Sequence, residues 1–371
     1  MLQLSDPGRF AIMRRREIHG VVDKMLDDSI FVLGEMVRRF ENEFAQFIGV
    51  DHCISVGSGT DALEITLRAL ECEGKEVMVV ANAGGYGTIS CLAIGAKPVY
   101  VDVDPKTLLI SIDSIVENIT MNTAAIVVTH LFGMASDCAL INNAVMERLG
   151  KIIPIIEDCA QAHGASVGAR RAGAQATAGC FSFYPTKNLG ALGDGGAIVT
   201  DSSNLAERIS QLRQYGWTKK YLQEKKGGRN SRLDELQAGF LIDFLPYLDK
   251  RNNQRRAIVK QYVDSGATAV HGSFVDSEQY VAHLAVCFVN NREVLMAKMS
   301  EEGIATGIHY PYLDVEFPVV NKSDEASRTL PVSSWALDKI LTLPCFPEMT
   351  SAEVDHVCHV IAKNQNFFEV L

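Results

Sequence analysis

A lysine amine is a useful nucleophile only where its charged form is disfavoured or where it is already an imine. Lys187 sits in a setting of that kind. It follows the aromatic stretch Phe181-Ser182-Phe183-Tyr184-Pro185-Thr186 and precedes the glycine-rich run Gly190-Ala191-Leu192-Gly193-Asp194-Gly195-Gly196. A second group is Glu157-Asp158, directly after the apolar run Ile152 to Ile156. A carboxylate there needs a partner, because burying a bare charge is costly. A protonated pyridine nitrogen would provide one, and the ion pair would keep the ring an electron sink. The alternative is an aspartate that caps the next turn. Gln161 and His163 lie close enough along the chain to reach the same cavity. The third group is Gly57-Ser58-Gly59-Thr60, after the strand-like run Cys53 to Val56 and at a helix start. Unpaired backbone N–H groups and small residues suit a phosphate there. The alternative is a tight strand-to-helix turn with a Thr or Asp cap.

The elements that must position these groups alternate. Cys53 to Val56, Glu76 to Val80, Pro98 to Val101, Ala125 to Thr129 and Ile152 to Ile156 are short β-branched runs. Helical patterns separate them, from about Thr60 to Leu70 and from Ser136 to Gly150. Such alternation predicts an α/β domain with a mostly parallel sheet. In an open parallel sheet, ligands bind at the carboxyl ends of the strands, where all three groups fall. Phe181 to Tyr184 and Ala197 to Thr200 predict a hairpin-like pair. A long polar helix is expected after Leu233, running past Pro246, and a last helix near Ala352 to Lys363. A large domain over residues 1–245 and a smaller C-terminal one over residues 246–371 follow from this reading.

Composition excludes several classes. The chain has 371 residues, 47% hydrophobic and 22% charged, as globular proteins do. Its formal net charge of −10 argues against a nucleic-acid binder, which would present a basic face. No apolar run is long enough to span a bilayer, and the first ten residues carry no secretion-signal pattern. The nine cysteines are scattered without a Cys-x-x-Cys pair, so reduced thiols and a cytoplasmic location are expected.

Together the motifs resemble those of the DegT/DnrJ/EryC1/StrS family of sugar aminotransferases. The resemblance rests on Ser58-Gly59-Thr60-Asp61-Ala62-Leu63, Glu157-Asp158-x-Ala160-Gln161-Ala162-x-Gly164-Ala165, Phe181 through Gly190, Gly193-Asp194-Gly195-Gly196 and Gly228-x-Asn230-Ser231-Arg232-Leu233-Asp234-Glu235-Leu236-Gln237-Ala238. It runs from Leu33-Gly34-x3-Arg38-x-Phe40-Glu41 to Leu343-Pro344-x-x-Pro347-x-x-Thr350, in the family's order. It implies an aminotransferase of fold type I with a seven-stranded sheet, pyridoxal 5′-phosphate as cofactor, and a homodimer with shared active sites. It implies a nucleotide-linked keto-sugar as acceptor and an amino acid, usually glutamate, as donor. Lys187 matches the Schiff-base lysine and proton carrier, and Asp158 the partner of the pyridine nitrogen. Gln161 matches the residue near the ring hydroxyl. Ser58, Gly59, Thr60 and Ser182 fall in the phosphate cradle, and Asn230 matches a phosphate contact from the other subunit. Tyr86 is the candidate to cover the cofactor ring.

The chain departs from the family pattern twice. Gly84-Gly85-Tyr86-Gly87-Thr88 stands, one residue shorter, where the family has a Thr-aromatic-x-Ala-Thr stretch. The family's His-Tyr-Pro-x-Pro-x-His-x-Gln segment persists only as His309-Tyr310-Pro311, which predicts His309 and Tyr310 on the substrate side of an altered pocket. Three other functions compete. A Rossmann dehydrogenase would need an acidic residue ending the next strand, about twenty residues on, but Glu76 to Val80 leads into Ala81-Asn82. A keto-sugar dehydratase on this scaffold replaces the lysine with histidine, whereas Lys187 is kept. A non-catalytic binding or regulatory protein would be expected to have lost Lys187 or Asp158. Among weaker signals, Asp355, His356 and His359 fit a solvated helix face better than a metal site, and no metal is expected. The basic run Lys219-Lys220-Tyr221 with Lys225, Lys226 and Arg229 could receive a diphosphate or be a solvated loop. Asp102 and Asp104 read as turn residues.

Overall fold

The computed structural model describes residues 1–320 and 330–368. Its centre is a seven-stranded sheet of β1 (His52–Val56), β2 (Glu76–Val80), β3 (Lys97–Val101), β4 (Thr123–Thr129), β5 (Ile155–Asp158), β6 (Ala178–Ser182) and β7 (Gly196–Thr200). The spatial order is β1-β7-β6-β5-β4-β2-β3. Strands β6, β5, β4, β2 and β3 run parallel, and β7 is antiparallel to both its neighbours. The expected hairpin-like pair is β6 and β7, in register from Gly179↔Val199 to Ser182↔Gly196. Helices cover both faces, so the central strands read as continuous apolar runs rather than alternating ones.

One face packs on the helices Gly59–Ala69 and Tyr86–Ala93, through Val56, Leu63, Val79 and Tyr100. On the other, Phe40 and Phe44 of the helix Glu35–Ile48 meet Phe183 and Phe181 edge-to-face, with centroids 5.3 and 5.0 Å apart. That helix starts without a capping side chain of its own. Glu235, 3% exposed and some 200 residues away in sequence, supplies the missing acceptors to Gly34 N, Met36 N and Val37 N at 2.6, 2.9 and 3.0 Å. A carboxylate at a helix N-terminus also complements the helix dipole.

The C-terminal part contains β8 (Ala285–Phe288), antiparallel to β9 (Ile340–Leu343). The long helix expected past Pro246 is two helices, Glu235–Phe244 and Leu248–Asp264, joined by a 3₁₀ turn at Leu245–Tyr247. Pro246 lacks the N–H that a continuous helix would use. The last helix, Ser351–Lys363, begins with a reciprocal cap between Thr350 and Glu353. Asp104 is a turn residue, accepting from Lys106 N and Thr107 N. Asp102 is more than that. Its buried carboxylate accepts from Val332 N, Ser333 N and Ser333 Oγ, at 2.9, 2.9 and 2.6 Å, and so ties β3 to the helix Pro331–Lys339. Among the described residues, no helix is long and apolar enough to cross a membrane.

Candidate active site

The carboxyl ends of β1, β5 and β6 open onto a cavity of about 720 Å³ lined by Ser58, Gly59, Thr60, Asp158, Gln161, Ser182 and Lys187. At its floor, Ser58 Oγ caps the helix Gly59–Ala69 by accepting from Asp61 N at 3.1 Å. The cap is therefore Ser58 rather than a Thr or Asp. Gly59 is needed for close approach. A Cβ there would lie 2.6 Å from Ser182 Cβ. The backbone N–H groups of this helix start, with the hydroxyls of Thr60 and Ser182 beside them, make an anion cradle.

Glu157 and Asp158 point to opposite faces of β5, as the two-residue period of a strand requires. Glu157 faces away from the cavity. It bonds His130 Nε2 at 2.9 Å and accepts from Gly173 N and Gln175 N, both at 2.8 Å. Asp158 faces the cavity, 5% exposed, accepting from Ala160 N at 3.2 Å and Thr129 Oγ1 at 3.3 Å. Burial pushes its carboxyl above the usual range, opposed by the Ala160 N–H and by the Lys187 charge. Burial drives the Lys187 amine the other way, down to about 8, with Asp158 opposing. Near neutrality, the pair thus has an amine within reach of its neutral form and a carboxylate that a nearby cation favours.

Gln161 is held from both ends. Its Oε1 accepts from Phe132 N at 2.6 Å, which fixes the amide orientation, and its Nε2 donates to Tyr310 Oη at 2.8 Å. Tyr86 opens the helix Tyr86–Ala93, about half exposed, with its ring 6.4 Å from that of Tyr310. The two departures from the family pattern meet here. A Cβ on Gly84 would strike the Tyr310 ring at 2.9 Å, and one on Gly85 would strike the Phe317 ring at 2.4 Å. The paired glycines make room for those rings. Asp314 locks the contact by accepting from Thr88 Oγ1 at 2.7 Å, and burial pushes its carboxyl up to about 7. His309 also lines the cavity. Its Nδ1 lies 2.8 Å from Thr342 Oγ1, and burial lowers it to about 4.

A model of the DegT/DnrJ/EryC1/StrS aminotransferase family matches residues 13–362. The chain belongs to this family. It is an aminotransferase, and its cofactor is pyridoxal 5′-phosphate. One relative, the dTDP-3-amino-3,6-dideoxy-alpha-D-galactopyranose transaminase of Aneurinibacillus thermoaerophilus, is 38% identical over 364 residues, covering 97% of this chain and 99% of its own. The crystal structure of S. venezuelae DesV in complex with a ketimine intermediate superposes with a TM-score of 0.91 at 33% identity, covering 98% of both chains. That of NtdA from Bacillus subtilis, with bound pyridoxamine phosphate (PMP), gives a TM-score of 0.86 at 29% identity, over 94% of this chain and 81% of that one.

The residues present fit the cofactor of this aminotransferase. A glycine cradle takes a phosphate, a buried carboxylate stands ready for a ring nitrogen, and a half-buried amine of lowered basicity faces the same cavity. The sequence-predicted residues Ser58, Gly59, Thr60, Tyr86, Asp158, Gln161, Ser182, Lys187, His309 and Tyr310 all line the one cavity. Asn230 does not line it in its own chain. It is exposed, and its backbone bridges Gln214. Its neighbour Ser231 is the inward one, donating to Asp61 Oδ2 and accepting from Gly57 N. His163 misses the cavity and packs between Phe181 and Phe183. His356 bonds the Glu302 carbonyl, as a helix-face residue would. Of the basic run, Arg229 is engaged by Glu64 and Asp61, while Lys219, Lys220, Lys225 and Lys226 are exposed. Sequence reasoning missed Thr129, His283 and Cys345 on the cavity wall. Thr129 ends β4 and could have been found from the strand-end rule, whereas nothing local marks the other two.

Proposed function

We propose that this aminotransferase moves an amino group from an amino acid, glutamate, to the C3 or C4 ketone of a nucleotide-linked deoxy sugar, within amino-sugar biosynthesis for surface polysaccharide or secondary metabolites. The observation that carries the reading is that the half-buried Lys187 amine and the buried Asp158 carboxylate line the same cavity as the Gly59–Ser182 cradle. The names of relatives that act on nucleotide-linked amino sugars support the acceptor class.

In this reading, Ser58, Gly59, Thr60 and Ser182 hold the phosphate, and Asp158 pairs with the pyridine nitrogen. Tyr86 and Gln161, the latter held by Tyr310, would help to hold the cofactor. The bound cofactor supplies the electron sink. Lys187 would hold the cofactor, and its amine, when free, would take the proton from the donor α-carbon and give it back, as base and then as acid. Its lowered basicity suits both roles near neutral pH. His309 and Tyr310 contact the sugar. Residues 1–245 form the cofactor-binding domain and residues 246–371 the smaller one. The working unit is a homodimer in the cytoplasm, in which Asn230, exposed in its own chain, reaches the partner's phosphate.

A panel of dTDP-, UDP- and GDP-linked keto-sugars, scored by mass spectrometry for the amino product with glutamate as donor, tests the substrate reading. No product from any of them would remove it. Mixing Lys187→Ala and Asn230→Ala subunits tests the dimer. If Asn230 acts across the interface, each mixed dimer has one intact site and activity rises above both parents. If it acts within its own chain, no gain appears.

A further inference from the structure

The residue after Lys187 is anchored by a buried polar cluster that the reaction as described above does not use. Asn188, 4% exposed, spends both amide hydrogens, one on Asn252 Oδ1 at 2.8 Å and one on the Val281 carbonyl at 3.0 Å. A carbonyl can only accept, so the amide orientation is fixed. Its Oδ1 must therefore be the acceptor facing His283 Nδ1 at 3.0 Å, and that nitrogen must carry a hydrogen. Asn252 is fixed in turn, donating to the His163 carbonyl at 2.8 Å.

His283 is brought there by tertiary contacts. Ala282 adopts φ +48°, and Val281 N donates to Gly133 O at 2.8 Å. Gly133 has φ +95°, and a Cβ on it would lie 2.8 Å from His283 N. A larger residue at 133 would lift the histidine from its place. The charged and titratable groups facing His283 are Lys187, Arg255, His163 and His309. Arg255 donates to the carbonyls of His283 and Cys345, at 3.3 and 2.7 Å. With burial, these groups keep the imidazole well below its usual range and hence neutral. A neutral imidazole whose Nδ1 carries the hydrogen has a bare Nε2.

We propose that His283, as the neutral Nδ1–H tautomer, is a positioning residue for Lys187, which it acts on by pinning Asn188. The proposal rests on the reading of Lys187 as the reacting amine. A reacting amine must be held to a fraction of an ångström, and a misplacement of about 1 Å costs on the order of a hundredfold in rate. The Asn188–Asn252–His283 cluster ties the lysine-bearing loop to the helix Leu248–Asp264 and to the segment before β8. Loss of the pin frees the loop, letting the amine relax towards solvent and its ordinary basicity.

Three substitutions separate the two ring nitrogens. Asparagine places a donor where Nδ1 stands, glutamine places an acceptor where Nε2 stands, and leucine provides neither. The first readout is the pH midpoint of Lys187 modification by an amine-selective acylating reagent in the cofactor-free protein, followed by mass spectrometry. It needs no turnover. The second is kcat against KM in the loaded enzyme. In His283→Leu and His283→Gln, the Lys187 midpoint moves up from about 8. Their kcat falls by about ten- to a hundredfold while KM changes little. His283→Asn recovers most of both losses. If His283→Leu does not fold, the Asn and Gln variants carry the comparison alone. An unmoved Lys187 midpoint in His283→Gln overturns the proposal. So does recovery by Gln rather than Asn, which would assign the role to Nε2. Full activity of Lys187→Ala would instead overturn the underlying reading of the lysine, a result distinguishable from any of these.

Discussion

The two walls of the cavity are built differently. The sheet wall comes mainly from residues 58–60, 129, 158–161 and 182–187, each in or continuous with a strand that ends at the site. Its side chains are set by the strand register and by local turns. The opposite wall comes from residues 283–284, 305–310 and 345, which lie outside the sheet. Its side chains are held by contacts between distant segments, such as Gln161 to Tyr310 and Thr88 to Asp314. The first wall carries the family's motifs almost unbroken; of the two departures, one lies on the second wall and the other, at Gly84 and Gly85, packs against Tyr310 and Phe317. Cofactor chemistry tolerates little change in geometry, whereas the substrate wall can be rebuilt while the chemistry is kept.

If this division is right, substitutions on the sheet wall stop the reaction for every sugar, and those on the other wall change which sugar is used. The largest effect is expected for Lys187→Ala. Turnover falls by more than about a hundredfold, since both proton transfers lose their carrier, while circular dichroism and thermal unfolding show an intact fold. Transamination at the wild-type rate would break the assignment at its centre. Asp158→Asn comes next. The variant keeps the cofactor, yet both half-reactions slow in single-turnover experiments. Losing a buried ionic partner costs about 3–5 kcal/mol, on the order of a hundredfold or more in rate. Unchanged single-turnover rates would take Asp158 out of the mechanism.

A smaller effect, on the other side of the division, is expected for Tyr310→Phe. The ring that fills the space over Gly84 remains, but Gln161 Nε2 loses its acceptor. Removal of one such partner costs about 1–3 kcal/mol. It should appear mainly as a raised KM for the sugar, with the cofactor retained on dialysis. Loss of cofactor from Tyr310→Phe would erase the distinction between the walls.

The last effect is on stability, with turnover expected to change least, and concerns the clasp at Asp314. Its folded value of about 7 lies above the ordinary carboxylate value of 3.8, so the folded protein holds the proton more tightly than the unfolded chain. That contribution is fully present below about pH 4 and is lost as pH rises through about 7. Its upper bound is about 4 kcal/mol, at about 1.4 kcal/mol per pKa unit. Asp314→Asn should flatten the change in urea midpoint between pH 5 and pH 8. An identical pH dependence in wild type and variant would show that the clasp does not titrate in this range.

Much of the sheet wall was legible before folding was considered. A strand followed by Gly-Ser-Gly-Thr, a carboxylate ending a buried strand, and a lysine after an aromatic strand each place a group at the same sheet edge. The boundaries shifted by one to three residues, as at β1, β4 and β5, where the strand starts at Ile155 instead of Ile152 and includes Glu157 and Asp158, because strand ends depend on what the neighbouring strand offers. Other readings failed where a distant partner decided the outcome. Asp102 looked like a turn residue because the helix it caps lies some 230 residues downstream. His163 looked able to reach the cavity because it follows Gln161 by two, but the Phe181 and Phe183 rings hold it elsewhere.

By itself, then, the sequence marked which segments end at the site and which residues there match a family motif, Gly59, Asp158 and Lys187 among them, and through that resemblance it pointed to the class of cofactor. Each of these segments is marked by backbone geometry and by residues within a few positions of one another, and such short-range relations are written in the order of the residues. Only the tertiary structure decided that Tyr310 meets Gln161, that Gly84 and Gly85 yield to Tyr310 and Phe317, and that His283 meets Asn188. Those partners lie 95 to 232 residues apart, and no local propensity marks either member. They meet because burial leaves each polar group only the partners that packing brings within reach, and each ring only the space that a missing Cβ leaves open.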